Sequence, residues 1–499
     1  MVAFLSVLLG FTCYLCWLAW PSLLPITRGP DLVHHLSLIH FIQDRHALPH
    51  DPSFGVYLGE MVSYTPGSHL LAALAGEWLD VDALRVLHSL QAFLVGLKGG
   101  VFFCALMRSS RRATVAASLA GTLLLLLPYR YLLEPITVFG FYSQAVAELF
   151  AVAILWALVA FHRQPSPAPL GFIGVFASAL VLAWPVYFPA VALAVAAVLL
   201  FRWWLGARRV TAIVGDLAIA LGPAAIVVTM FSVRHAGSAG ILRSGGSVIV
   251  PGIDVFGWAF LFLAVGGTVL ALRRWRRHLP VLAFAVGCTL QIAALAAAQA
   301  WLGATNLYLA NKTVFLLVYP LAMLAAAVLA FLTRPLRTAA GTPMKMRAVG
   351  VLAAPALVFA LLAVRNLPVR PLESPISEPV YRAGLWAQMQ VPAGCVDYMV
   401  EDWVTGYWLH LDVLGNPRAS ERMRTETFDY RHAIGRWILP GGPTFAIVED
   451  LPGVPADARA NMEVLFESPP AAVVRRSDGA GECPDTAPGI REVGRRSRS

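Results

Sequence analysis

The chain has 499 residues, of which 58% are hydrophobic and 13% charged, with a formal net charge of +9 and a mean hydropathy of +0.67. Ordinary soluble domains carry about 25% charged residues, so the composition excludes that class and predicts an integral membrane protein. The arginines stand in short clusters between apolar segments, which is typical of a membrane-topology signal. A nucleic-acid-binding function is therefore not expected from the positive charge.

Apolar stretches long enough to cross a bilayer recur along most of the chain. A hydrocarbon core of about 30 Å needs roughly 20 apolar residues per helix. The candidates lie near 2–24, 84–107, 113–133, 141–161, 169–185, 187–205, 211–233, 253–272, 279–301, 312–333 and 348–364. The sequence therefore predicts a mostly α, polytopic membrane helical bundle of about eleven spans over residues 1–365.

The basic clusters predict the orientation of this bundle. They fall in alternate loops, as the positive-inside rule requires of cytoplasmic loops, at Arg108/Arg111/Arg112, Arg163, Arg202/Arg208/Arg209, Arg273/Arg274/Arg276/Arg277 and Arg334/Arg337/Lys345/Arg347. The N-terminus is then cytoplasmic, in a cell (cytoplasmic or inner) membrane. A long first outer loop, 25–83, lies on the extracytoplasmic side.

This first outer loop carries two predicted helices. Residues 66–79 are apolar but short, and counting them as a span would place the cluster at 108–112 outside, so we interpret them as an interfacial or re-entrant helix. Residues 31–45 have Leu32, Leu36 and Ile39 on one helical stripe, with polar residues off it. This second segment is predicted to be an amphipathic helix on the outer interface.

The stretch Gly29-Pro30-Asp31 allows two interpretations. Proline in the first turn and a carboxylate near the positive end of the dipole are both helix-start signals, so Asp31 is explained equally well as a structural or a functional residue. His34 and His35 are adjacent and point to different faces of a helix, so they make a weak metal pair.

Other polar residues predicted at membrane depth crowd toward the outer helix ends, among them Arg130, Glu134, Arg234 and Lys312. Polar groups at such depth are costly and often functional. Lys98 and Glu148 lie deeper, and a structural ion pair between neighbouring helices is the simplest way to tolerate both.

The character of the sequence changes near residue 366, where prolines cluster. Residues 366–490 predict a small mixed α/β extracytoplasmic domain, with β-like runs in 395–416 and a candidate strand at 444–449. Cys395 and Cys483 are its only cysteines, and whether they form a disulfide is left open. The basic tail 491–499 is expected to be disordered.

The order of these motifs resembles the GT-C superfamily, multi-pass glycosyltransferases that use polyprenyl-phosphate sugars. The matching features are the spanning helix followed by "GPDLVHH", then "YTPGSH" at 64–69, "GFYSQAVAELF" at 140–150, "NLYLANKTVFLLVYPLA" at 306–322, and the outer C-terminal domain. Thr65 stands where the family motif usually has proline.

The resemblance implies transfer of a hexose or pentose from a polyprenyl-phosphate donor to a cell-envelope glycan, lipid or protein acceptor, with inversion. Asp31 is then the base, because such a donor already carries a good leaving group and needs only acceptor deprotonation. Cations would hold the departing phosphate. The expected substrate-binding residues are His34, His35, Tyr64, His69, Arg130, Glu134, Arg234, Arg243 and Lys312.

The sequence contains no nucleotide-binding glycine loop and no zinc motif, so no cofactor or metal site is expected, while a dependence on a divalent cation is left open. Two other functions are considered. A transporter or flippase would show charged or discontinuous helices at the midplane and an internal repeat, and neither is evident beyond Lys98. A catalytically silent GT-C-like scaffold is compatible with the same motifs.

Overall fold

The computed structural model describes residues 1–109, 115–206, 209–231, 246–332, 367–392, 395–418, 433–435, 437, 443–479, 481 and 483. Its α-helices are α1 Val2–Leu18, α2 Pro30–Arg45, α3 Gly55–Leu58, α4 Gly67–Leu79, α5 Ala83–Ser109, α6 Val115–Leu123, α7 Tyr129–Glu134, α8 Tyr142–Arg163, α9 Pro167–Ala183, α10 Phe188–Trp204, α11 Val210–Met230, α12 Ile253–Phe256, α13 Trp258–Leu272, α14 Trp275–Trp301, α15 Tyr308–Leu332, α16 Glu378–Gln390, α17 Trp403–Trp408 and α18 Ala456–Arg459.

The bundle combines long apolar helices with shorter ones. Within the described residues, six helices are long and apolar enough to cross a membrane: α5, α8, α10 with the turn before it, α11, α14 and α15. The pair α6 and α7 passes the same test as a broken span bent by 76°. Helices α1, α9 and α13 are apolar but shorter, and the candidate span 348–364 lies outside the described residues. The mostly helical membrane fold is confirmed, whereas the count of eleven spans stays a prediction.

The bend between α6 and α7 follows from proline. Pro128 and Pro135 flank α7, and each lacks the backbone N–H that a continuous helix would use. A π-helical turn, Pro135–Phe139, follows and ends at Gly140 in the left-handed region, with φ 75°. This turn packs against the start of α2, where Gly140 lies next to Leu32.

Helix α2 is more enclosed than an interfacial helix would be. Its stripe Leu32, Leu36 and Ile39 is fully buried. One side of the helix packs on α4 and α5, and another packs on the π-helical turn Leu409–Val413 of the C-terminal domain. It therefore joins the bundle to the C-terminal domain.

The predicted ion pair in the bundle is present. Lys98 Nζ lies 2.6 Å from Glu148 Oε2, and both side chains are buried. The hydroxyl of Tyr319 donates to the same oxygen at 2.6 Å, and Gln144 Nε2 donates to the other at 3.2 Å. Because every oxygen of the buried carboxylate accepts a hydrogen bond, this cluster is explained as structure.

The C-terminal domain is a small mixed α/β unit. In the described part of this domain, four strands, β1 Val396–Met399, β2 Phe445–Val448, β3 Met462–Ser468 and β4 Ala471–Arg476, lie in the order β1-β2-β4-β3. Strands β1 and β2 are parallel, and the other pairs are antiparallel. Cys395 and Cys483 form a disulfide, which settles the pairing that the sequence left open.

One expectation for this domain is wrong. Of the β-like runs in 395–416, only β1 is a strand, and α17 continues into the π-helical turn Leu409–Val413. The side chain of Asp402 caps α17 by accepting from Thr405 N at 2.9 Å. The apolar residues that follow are buried between α2 and α16, so their pattern reflects burial on several sides rather than a strand.

Candidate functional site

The site begins at the first turn of α2, which contains Asp31. Gly29 is the N-cap residue and Pro30 follows it, and no side chain caps this helix start. Asp31 is partly exposed, and its carboxylate has no hydrogen-bond or ion-pair partner among the described residues. The negative charge of Asp31 interacts favourably with the positive end of the helix dipole, but the carboxylate does not cap the helix. Its oxygens are therefore available to a ligand.

Close backbone packing fixes this helix start. A Cβ at Gly140 would lie 2.6 Å from Leu32 Cβ and 2.9 Å from Leu32 N. A Cβ at Gly29 would lie 2.7 Å from Val138 O. Only glycine permits both approaches, since any Cβ nearer than about 3 Å forces a shift. The π-helical turn Pro135–Phe139 thus positions Asp31.

Lys312 lies in the first turns of α15, in an aromatic cage. Its Nζ is 3.7 Å from the ring centroid of Phe141, 4.5 Å from that of Tyr308 and 5.1 Å from that of Trp184. The residue is only 4% exposed, and no carboxylate in the described part of the chain forms an ion pair with it. Ring faces offset part of the cost of burying the ammonium, but an anion would offset more.

Asp31 and Lys312 act on each other electrostatically. Lys312 also acts on His35, one turn after Asp31 on α2. The carboxylate of Asp31, the ammonium of Lys312 and the imidazole of His35 are therefore near enough for the charge of Lys312 to act on both of the others.

Two buried histidines of this cluster, His35 and His69, contact each other. His35 Nδ1 lies 2.9 Å from His69 Nε2. Desolvation by burial is the main cause that lowers the pKa of His35 well below its usual value, with His69 and Lys312 adding repulsion. Burial likewise lowers the pKa of His69 to about 3. Both rings are neutral at physiological pH and share one proton across their contact.

Tyr64 closes one side of the pair. Its ring lies 5.4 Å from that of His35, edge to face, and stacks 6.0 Å from that of Trp184. Burial raises the pKa of Tyr64 well above its usual value, although a hydrogen bond with Ser143 opposes this. The phenol therefore stays protonated and offers a hydrogen-bond donor.

His34 faces the other way, as the helical geometry predicts. Its Nδ1 lies 2.9 Å from Glu60 Oε1, and its Nε2 lies 2.7 Å from Tyr407 OH. Arg418 donates to Glu60 Oε2 at 2.7 Å and lies 3.0 Å from His34 Nε2. We call His34, Glu60, Tyr407 and Arg418 the clasp, because they connect the first outer loop to the C-terminal domain.

The clasp sets the charge of Glu60. Burial alone would raise the pKa of this carboxyl, but His34 and Arg418 outweigh it and hold the pKa well below its usual range. Glu60 therefore stays ionised, which the 57% exposure of its side chain to solvent also favours.

Arg130 and Glu134 form an ion pair with each other on α7, with Nε 2.6 Å from Oε1. Glu134 also lines a cavity of about 770 Å³ whose charged lining includes Arg28, Arg370 and Glu373. This cavity lies beside the segment that leads into α2, a few residues before Asp31 in the chain. The remaining two predicted residues, Arg234 and Arg243, lie outside the described residues.

Sequence reasoning missed part of this arrangement. Nothing in the sequence distinguishes Tyr308 and Trp184 from ordinary interfacial aromatic residues, whereas the structure places both around the ammonium of Lys312. No sequence pattern indicated that Glu60, Tyr407 and Arg418 belong together, because Arg418 lies 358 residues from its partner Glu60. In the described part of the chain, no group of three or more His, Cys, Asp or Glu side chains is placed to hold a metal ion.

The fold is similar to that of solved GT-C glycosyltransferases. The archaeal oligosaccharyltransferase AglB from Archaeoglobus fulgidus, in complex with an inhibitory peptide and a dolichol-phosphate, gives a TM-score of 0.51 at 14% identity over 89% of this chain and 69% of that one. ArnT from Cupriavidus metallidurans in the apo state gives 0.51 at 13% identity over 96% and 98%. The arabinofuranosyltransferase AftD from Mycobacteria gives 0.52 at 14% identity over 96% and 40%.

At these identities the likeness establishes the fold, and the chain has the GT-C membrane fold that its motifs predicted. No protein-family model matches the sequence, and no curated protein sequence matches it. The reaction has to be argued from the site itself.

Proposed function

We propose that the protein is a membrane glycosyltransferase that transfers a sugar from a polyprenyl-phosphate donor to a hydroxyl acceptor of the cell envelope. The observation that carries the proposal is the electrostatic interaction between Asp31, a partly exposed carboxylate, and Lys312, a buried ammonium, neither of which forms an ion pair within the described residues. Such a pair can hold an anionic leaving group beside a base.

In the proposed reaction, Asp31 accepts the proton of the acceptor hydroxyl while that oxygen attacks the anomeric carbon of the donor sugar. The bond from this carbon to the phosphate oxygen breaks, and the electron pair leaves with the phosphate. Lys312 stabilises the phosphate charge. A single displacement inverts the anomeric configuration.

Other site residues have supporting roles in this proposal. The neutral pair His35 and His69 and the protonated Tyr64 offer uncharged hydrogen-bonding groups beside the reacting atoms. His34 is held at the edge of the site by the clasp and would contact the acceptor. Glu134, which pairs with Arg130, borders the cavity of about 770 Å³, and this cavity would admit the acceptor or the donor headgroup.

Support for a lipid-linked donor comes from two sources. AglB, a structure of similar fold, was solved with a dolichol-phosphate. In this chain, Lys312 stands near the end of an apolar helix, so an anion bound there would sit at headgroup level with its prenyl chain along apolar helix walls. The extracytoplasmic placement of the site remains part of the proposal, resting on the positive-inside pattern.

The proposal is tested with purified protein in lipid and a panel of radiolabelled polyprenyl-phosphate sugars and envelope glycans. Wild type should transfer label, and Asp31→Asn should lower the rate about 100-fold or more, the usual effect of removing a general base. Asp80→Asn is the matched control, since Asp80 is exposed and its left-handed φ of 54° suits asparagine.

Equal rates for wild type and Asp31→Asn would show that Asp31 is not the base. Absence of transfer, together with movement of labelled lipid across vesicles by the wild type, would replace the proposal with a transporter function. Absence of both activities with every donor and acceptor in the panel would favour the scaffold interpretation.

A further inference from the structure

A second cavity, of about 190 Å³, lies between α5, α6, α13, α14 and α15. Its walls include Leu106, Met323, Leu324 and Phe331, which are apolar. Nothing in the proposed reaction uses this cavity, so its chemistry requires a separate explanation.

The cavity lies at the opposite end of the bundle from Lys312. Phe331 is 19 residues further along α15, so the two positions are separated by roughly 28 Å at 1.5 Å per residue. A bilayer's hydrocarbon core is about 30 Å thick. The cavity therefore opens near the headgroups of the other leaflet.

The polar part of the cavity is strongly basic. Arg273, Arg274, Arg277 and His278 all line it, and none of the described lining residues is acidic. Arg273 and Arg274 are exposed, whereas Arg277 and His278 are half-buried. Their clustering around one concave space gives it a positive potential that favours an anion.

Ser118 provides an independent sign of a ligand. It lines the same cavity and is 2% exposed, and its hydroxyl has no hydrogen-bond partner in the described part of the chain. A buried hydroxyl without a partner is costly, unless a ligand supplies the missing acceptor. A phosphate oxygen would accept from Ser118 while the arginines neutralise its charge.

We infer that this cavity binds the phosphate headgroup of an anionic phospholipid from the leaflet opposite the candidate active site. The combination of a basic rim with apolar walls fits an amphiphile better than a free phosphate, because the walls would contact the first acyl carbons. This inference does not depend on the proposed glycosyl transfer.

The test measures lipid binding by native mass spectrometry of the purified, delipidated full chain. It is titrated separately with phosphatidylglycerol, phosphatidylcholine and inorganic phosphate. Wild type should prefer phosphatidylglycerol to phosphatidylcholine about tenfold, and Arg273→Gln should weaken phosphatidylglycerol binding about fivefold. Ser118→Ala should weaken it about threefold, the loss expected of one hydrogen bond.

Arg276→Gln is the matched control, because it removes the same charge from the same cluster at an exposed residue that does not line the cavity. Equal weakening by Arg273→Gln and Arg276→Gln would show diffuse attraction and overturn the inference. Inorganic phosphate binding as tightly as phosphatidylglycerol would also overturn it, as would equal binding of the two phospholipids. Since Arg273 is exposed, its replacement should leave folding intact, and an unchanged melting temperature checks this.

Discussion

At the scale of single residues, two lysines buried in the described part of the bundle differ in how their charge is compensated. Lys98 forms a buried ion pair with Glu148, whereas Lys312 is caged by aromatic rings and, within the described residues, interacts with Asp31 electrostatically without forming an ion pair. A buried charge without a counter-charge is tolerated at a cost, and that cost is usually explained by function. The two lysines therefore predict different responses to the same substitution.

Lys312→Met is expected to keep the protein folded with a melting temperature equal to or above that of wild type, because it removes a buried charge that no ion pair compensates in the described residues. Sugar transfer should fall about 10-fold to 100-fold, since the charge-assisted contact to the leaving phosphate is lost. The measurements are thermal unfolding in detergent and the transfer assay. Undiminished transfer by Lys312→Met would contradict the assigned role.

Lys98→Met is the comparison variant. It leaves the carboxylate of Glu148 buried without its cation, so it should destabilise the protein by about 3 kcal/mol or more. A melting temperature equal to that of wild type would show that the pair is not the structural element we describe.

The buried histidines predict how stability depends on pH. A histidine whose pKa is lower in the folded state stays neutral there, while the unfolded chain binds a proton below its own pKa of about 6.5. Stability is therefore present above pH 6.5 and is lost as the pH falls toward the folded value, which is about 3 for His69. One such residue should cost about 2 kcal/mol between pH 7 and pH 5.

This pH dependence is measured as the melting temperature between pH 7 and pH 5. His69→Gln should reduce the slope, because one imidazole of the His35–His69 pair is removed. His46→Asn, which replaces an exposed histidine at a left-handed position with φ 50°, should leave it unchanged. A wild-type melting temperature that does not fall with pH would rule out the buried neutral pair.

At the scale of elements, the position of α2 depends on the turn beneath it. Gly140→Ala places a Cβ against Leu32 at a φ of 75°, so it should destabilise the protein by about 2–4 kcal/mol and move the start of α2. Gly171→Ala, inside α9 with open space around the new Cβ, should be neutral or slightly stabilising. Thermal unfolding of both variants measures these changes in stability. Sugar transfer should fall only in Gly140→Ala. Equal stability of the two would show that the turn does not position α2.

How far the sequence predicts each element depends on the range of the interactions that form it. Helical periodicity placed His34 and His35 on different faces of α2, and the cost of burying charge paired Lys98 with Glu148. Local pattern misled at 400–413, because a segment buried on several sides loses the polar alternation that separates a strand from a helix. Contacts such as that of Arg418 with His34 depend on the packing of two domains, which no local pattern encodes.

At the scale of the whole molecule, the clasp holds the C-terminal domain over the first outer loop. Arg418 reaches Glu60, His34 and the backbone oxygen of Leu58, and its own backbone N–H donates to Val56 O at 2.9 Å. Gly59, at a φ of 56°, lies directly against its guanidinium group. A single side chain thus connects α2, the loop 55–63 and the C-terminal domain next to the candidate active site.

Arg418→Gln removes the positive charge that contacts both Glu60 and His34. It should loosen the loop 55–63 and lower the free energy of unfolding by about 1–2 kcal/mol. The loss should be smaller at high salt, because salt weakens the same ion pair in the wild type. Hydrogen exchange of residues 55–63 should rise, and transfer should fall because His34 loses its fixed orientation. Arg475→Gln breaks an ion pair with Glu463 on the sheet, away from this loop, and should change neither. If Arg418→Gln leaves the exchange of 55–63 as slow as in the wild type, the loop is held by packing alone. The clasp would then be a consequence of domain contact rather than its cause.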